Sequence, residues 1–196
     1  MTELAKPNCY FRRNGYTSNS IIATKSGEQL DLSAIPRFLR ALLVMDGTVT
    51  KALEAWFWEP VKVVAYHNEV HALKGTIIGL EAKQGDAILQ REVTLQGSDT
   101  NSFFACARSS VFLKSLPKEV GEALEAGKIG IGELFREKGL ETYREVIDID
   151  YHASPKNDLL LVSHLNNEII SRSYQIWVNA KPAIIVTEFF PVNVYQ

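Results

Sequence analysis

Disulfide frameworks and structural zinc sites need cysteines, and this chain has only two in 196 residues. Cys9 and Cys106 lie far apart and neither belongs to a C-x-x-C pair, so both read as free thiols. Charge of one sign is also lacking. Lys and Arg number 21 against 23 Asp and Glu, for a net charge of −2. That balance leaves no basic footprint for nucleic acid. No apolar run approaches the length of a membrane-spanning helix; Ala183–Val186 is soon interrupted by Glu188 and Pro191. Met1–Asn8 is polar, contains Lys6 and Pro7, and lacks the apolar core of a signal peptide. There is no internal repeat and no low-complexity linker. These absences set the expectation of a cytoplasmic protein, monomer or homodimer, with no nucleic-acid partner and no membrane span.

What is present can fold. The apolar fraction is 46% and the length suits one domain. Residues 1–30 are rich in Asn, Ser, Thr and Gly and read as an N-terminal extension to a domain over 31–196. Leu39, Leu42 and Leu43 recur at helical spacing, predicting a helix over Ile35–Met45 with Pro36 in its first turn. Asp46-Gly47 is a turn. Thr48 is a candidate N-cap for a second helix, Val49–Trp58, which Pro60 stops. Strands are predicted at Val61–Tyr66, Ala87–Leu95, Ser102–Phe112, Glu145–Asp150, Ile169–Val178 and Ala183–Val194. A helix follows Pro117, and the glycine-rich bend Gly127–Gly132 leads into a short one. Asn157–Asn166 is given no element. Short turns between consecutive strands imply an antiparallel sheet covered by helices, an α+β fold.

Alternation along the strands puts charge where apolar residues are expected. Leu89, Arg91, Val93 and Leu95 share one face. Ile170, Arg172, Tyr174, Ile176 and Val178 share another, and Glu188 is the single charge in the last strand. Side chains two apart point the same way, so these three charges are expected to face the core. A buried charge must be paired. One reading is an internal Arg–Glu bridge. The other is an enclosed polar pocket in which an anionic ligand balances the surplus arginine.

Other residues carry less. His67 and His71 lie four apart, but no carboxylate motif accompanies them, so no metal site is expected. The Gly127–Gly132 bend follows a helix and lacks G-K-[ST], which argues against a nucleotide loop. Asp148 and Asp150 are expected to face solvent. Trp56, Phe57 and Trp58 are read as core or lid packing rather than a base-stacking platform. No Ser or Cys stands in a nucleophile elbow.

Four segments occur in a telling order: Leu89-Gln90-Arg91-Glu92-Val93, then Gly127 through Phe135, then Tyr143-Arg144-Glu145, then Lys181 through Pro191 with Thr187-Glu188-Phe189-Phe190 inside it. The set, spanning Leu30 to the C-terminus, resembles the chorismate lyase family in its longer archaeal, actinobacterial and cyanobacterial branch. The resemblance implies a six-stranded antiparallel sheet with an internal ligand cavity under two helical flaps. It implies cofactor-free conversion of chorismate to 4-hydroxybenzoate and pyruvate. It also implies that Arg91 binds the ring carboxylate and that Glu188 serves the hydroxyl end as catalytic group. Backbone amides at Val49 and Ile131 are implied to assist, and Arg172 to join the substrate-binding set. The chain departs from compact bacterial members by its N-terminal extension, by an insertion around Ser154–Asn166, and by the residues at Val49 and Ile131. The rival expectation is a free-standing sensor of the same fold, as in the effector domains of transcription regulators, binding an aromatic acid without turnover. A third is a lyase for a related enolpyruvyl ring acid.

Overall fold

The computed structural model describes residues 21–152 and 168–196. Its frame is a six-stranded antiparallel sheet of β3 (Val61–Ala72), β4 (Ala87–Gly97), β5 (Phe103–Phe112), β6 (Thr142–His152), β7 (Ile169–Val178) and β8 (Lys181–Pro191), in the spatial order β3-β4-β5-β8-β7-β6. The β7–β8 turn is tight because Asn179 and Ala180 both take the left-handed conformation, φ 50° and 60°, that matches the twist of a two-residue hairpin. Lys181 and Pro182, which precede the strand expected from Ala183, already belong to β8.

Two helical hairpins cover one face of the sheet: α1 (Arg37–Val44) with α2 (Val49–Phe57), and α3 (Lys118–Glu125) with α4 (Ile131–Glu137). Each sits on its own apolar cluster. Leu39, Leu42, Leu43 and Leu53 pack with Leu95, Phe104, Ile170 and Phe190 under the first hairpin. Val120, Leu124, Leu134 and Phe135 pack with Leu89, Val111, Ile176 and Ile184 under the second. The middle of the sheet, between the clusters, is left for polar groups.

A small hairpin of β1 (Ile21–Ala23) and β2 (Gln29–Asp31) precedes α1. Ile22 and Leu30 are buried in the first cluster. Its turn docks on β6: Lys25 N donates to Ile149 O at 3.3 Å, and Ser26 Oγ to an Asp150 carboxylate oxygen at 2.9 Å.

Most expected elements are present, with shifted ends. β3 runs on through His71 to Ala72, paired to Ala87 at its far end. β8 stops at Pro191, and Val192–Tyr195 is a 3-10 turn. Asp148 and Asp150 are half-buried rather than exposed; the β1–β2 turn covers Asp150. Of the three aromatics, Phe57 stacks on Phe104 at 3.9 Å as packing, whereas Trp56 stacks on Phe38 yet stays half-exposed. Trp58 is 90% exposed, because it is the left-handed cap that ends α2 before Pro60. The Asn157–Asn166 segment and Cys9 lie outside the described residues.

Candidate active site

The antiparallel register lays the inward side chains out in transverse rows. One row runs Asn68, Arg91, Ser109, Val186, Tyr174 across β3, β4, β5, β8 and β7; the next runs Ala65, Val93, Ala107, Glu188, Arg172. Arg91, Arg172 and Glu188 all face inward, at 2%, 1% and 5% exposure. Above these rows lies a cavity with about 70 Å³ open to the centre of a water molecule. Its floor includes Arg91, Ser109, Tyr174, Val186 and Glu188; its roof is Gly47–Thr50 from the first hairpin and Gly130–Gly132 from the second.

The three inward charges have different fates. Arg172 Nη2 donates to Glu188 Oε2 at 2.6 Å, and Arg172 Nε to the same oxygen at 3.1 Å. Arg172 Nη1 donates to the carbonyls of Leu42 and Met45 at the end of α1. Every nitrogen of that guanidinium is thus engaged, and Arg172 does not line the cavity. The internal bridge is real, and it belongs to Arg172. Tyr174 hydroxyl donates to the other Glu188 oxygen, Oε1, at 3.0 Å, with the Arg172 guanidinium 4.9 Å from the centre of its ring. Burial, then the nearby Glu188 charge, push the Tyr174 phenol well above its ordinary pKa, so it stays a protonated donor.

Arg91 is held differently. Its Nε donates to Asn68 Oδ1 at 3.0 Å and its Nη2 to Ile129 O in the glycine bend at 2.9 Å. Both partners are neutral. Among the described residues Arg91 has no carboxylate partner, and Nη1 donates to no protein atom. Burial pulls its pKa down to about 10, which still leaves a cation at neutral pH. Arg91 is thus a buried cation on the cavity wall with no carboxylate partner among the described residues.

A third arginine, given no role by the sequence, joins the lining. Arg144 on β6 reaches the cavity beside Ile176, donates from Nη1 to Asp46 O at 2.8 Å, and has a buried Nε with no partner. The two flaps meet at Thr48 and Gly132. Arg136 Nη2 donates to Thr48 Oγ1 at 3.1 Å, and a Cβ on Gly132 would sit 2.9 Å from Thr48. Glycine is needed there for the close approach. Val49 and Ile131 begin α2 and α4 at this seam, and both residues line the cavity. Among the described residues no group of three or more His, Cys, Asp and Glu side chains is placed to hold a metal. No helix among them is long and apolar enough to cross a membrane.

This antiparallel sheet under two helical hairpins is shared with solved structures of other proteins. The solved structure of PhnF from Mycobacterium smegmatis is similar over 78% of this chain and 67% of its own, with TM-score 0.59 and 12% identity. The isolated effector domain of the same PhnF covers 75% and 90%, with TM-score 0.56 and 12% identity. A gene product from Staphylococcus aureus, SA0254, covers 76% and 91% at TM-score 0.56 and 11% identity. These likenesses establish the fold.

The family follows from sequence. Residues 43–196 match the family model described as "Chorismate pyruvate-lyase Rv2949c-like", and the chain belongs to that family. The chorismate pyruvate-lyase of Mycobacterium leprae is 26% identical over 178 residues, covering 85% of this chain and 80% of that protein. The one from Mycobacterium tuberculosis is 24% identical over 172 residues, covering 85% of each.

Proposed function

We propose that the protein is a chorismate lyase, converting chorismate to 4-hydroxybenzoate and pyruvate. The observation that carries this reading is Arg91: a buried cation without a carboxylate partner among the described residues, on the wall of a cavity whose floor also presents Glu188. Family membership and the curated relatives supply the substrate.

The reaction needs little from the protein. The C3–O bond to the enolpyruvyl group breaks, and its electron pair leaves on oxygen. The C4 proton is lost, and the pair it leaves completes the aromatic ring. The released enolate takes a proton at its methylene carbon to become pyruvate, so the net change is one proton moved. Aromatisation drives the step; no redox change occurs. Arg91 fixes the ring carboxylate, the flaps exclude water, and the backbone at Val49 and Ile131 closes over the ring. Glu188 serves the C4 end, held in place by Arg172 and Tyr174 so that it does not swing away from the ring.

The test is chelator-treated protein with chorismate. Equimolar pyruvate and 4-hydroxybenzoate support the reading; loss of activity with the chelator overturns the cofactor-free mechanism. Glu188→Gln should lower turnover by roughly 10²-fold if it carries the proton and by about tenfold if it only orients the hydroxyl. The second reading is a sensor, favoured by the fold shared with the PhnF effector domain. Its signature is 4-hydroxybenzoate or chorismate binding without pyruvate.

A further inference from the structure

We infer that Arg144 is a second carboxylate-binding residue, which makes the site selective for a dianion over a monoanion. This rests on the ring-acid reading above, with Arg91 on the first carboxylate. Arg144 lines the same cavity, and its Nε is buried without a partner. Its only hydrogen bond among the described residues goes to a neutral carbonyl, Asp46 O. Like Arg91 it therefore has no carboxylate hydrogen-bond partner among the described residues. Arg172, which shares their sheet face, has one.

The placement suits a two-headed ligand. Arg91 stands on β4 and Arg144 on β6, four strand spacings apart, or ~19 Å across the backbone. Both side chains reach into one small cavity from opposite sides, with Tyr174 and Ser109 on the floor between them. A ring acid with a second carboxylate on an ether arm presents its charges at two ends of one molecule. After reaction, the ring keeps one carboxylate and the other departs with the small fragment. Arg144 then loses its anion while Arg91 keeps its own.

The bond to Asp46 O adds a second consequence. Asp46 is in the turn between α1 and α2, so the residue that binds the second carboxylate also fastens the first flap. Substrate arrival at Arg144 and closure of that flap are thereby linked.

The test uses 3-(carboxymethoxy)-4-hydroxybenzoate, an aromatic dianion that cannot react, beside 4-hydroxybenzoate. Dissociation constants are measured for the wild type, Arg144→Gln and Arg144→Lys. Gln keeps an N–H donor for Asp46 O but removes the charge. The wild type should prefer the dianion. Arg144→Gln should weaken the dianion roughly ten- to hundredfold, the range for one charge-assisted bond, and 4-hydroxybenzoate less than about twofold. Arg144→Lys should recover part of the preference. In the lyase assay the chorismate KM should rise by the same factor in Arg144→Gln, with a smaller change in kcat. Equal weakening of both ligands would make Arg144 a flap fastener only and overturn the assignment, as would no weakening of either. A wild type that binds 4-hydroxybenzoate but gains nothing from the second carboxylate overturns Arg144 alone. A wild type that binds neither ligand and releases no pyruvate removes the ring-acid reading itself.

Discussion

The two flaps are fastened by the same device with opposite electrostatics. Arg172 rises from β7 and donates to Leu42 O and Met45 O under the first flap. Arg91 rises from β4 and donates to Ile129 O under the second, while its partner Asn68 donates on to Leu124 O at the end of α3. Each arginine is buried, each sits on the same face, and each ties sheet to roof. Only Arg172 has a carboxylate, Glu188 at 2.6 Å. The charge on the β7–β8 side is closed within the protein, and on the β4 side it is left open to the cavity. An internal bridge and a polar pocket are competing explanations of inward charge; the bridge accounts for Arg172, while Arg91 faces the cavity with no carboxylate partner among the described residues.

The sharpest break of this comparison is in stability. Arg172→Met strands Glu188 as an unpaired buried charge, and should cost about 3–5 kcal/mol. Arg91→Met removes a cation that has no carboxylate to strand; the loss of its two hydrogen bonds is offset by relief of the burial of an unpaired charge, so the net cost should be about 1 kcal/mol. Denaturant unfolding of the two variants tests the contrast. The pair Arg172→Met/Glu188→Leu should recover most of the loss, because apolar replacement of a buried pair is often neutral or stabilising. Equal destabilisation by the two single arginine variants would abolish the distinction.

Ligand binding reverses the order. Arg91→Ala should weaken 4-hydroxybenzoate by about 1.5–3 kcal/mol, the usual contribution of a charge-assisted hydrogen bond. Titration calorimetry reads this directly. Unchanged affinity in a folded Arg91→Ala protein would remove Arg91 from the site.

The same contrast explains what could be read without coordinates. The alternation of β4, β7 and β8 is regular near the charges, so Arg91, Arg172 and Glu188 were legible as inward. Their pairing was not, because register across strands decides it: Glu188 faces Arg172 directly and is two strands from Arg91. Arg144 stands in one of the quoted segments but received no role, because β6 begins at Thr142, ahead of the strand expected from Glu145. A bulge between Val146 and Asp148 also resets the alternation, bringing Arg144 and Val146 inward ahead of it and Ile149 after it. β3 extends past Tyr66 because pairing with β4 sustains it, while its exposed His67, Glu69 and His71 carry no apolar signal. The short β1–β2 hairpin contributes only Ile22 and Leu30 to the core, too little for a visible pattern.

The smallest effect lies where the flaps touch. Thr48 precedes α2, yet its hydroxyl makes no capping bond; instead it accepts from Arg136 Nη2 of α4 at 3.1 Å. Removing that hydroxyl should leave α2 as stable as before and loosen only the seam between the hairpins. Thr48→Val keeps the shape and deletes the acceptor. The bond is exposed, so about 0.5–1 kcal/mol of closure is at stake. That converts to a roughly two- to fivefold faster release of 4-hydroxybenzoate, measurable by stopped-flow displacement. If release limits turnover, the pre-steady-state burst should shrink by a similar factor. Thr48→Ser restores the hydroxyl and should restore the wild-type rate. Equal release rates for Thr48→Val and the wild type would place the gate elsewhere, at the Arg144–Asp46 bond or the Arg172 anchor of the first flap.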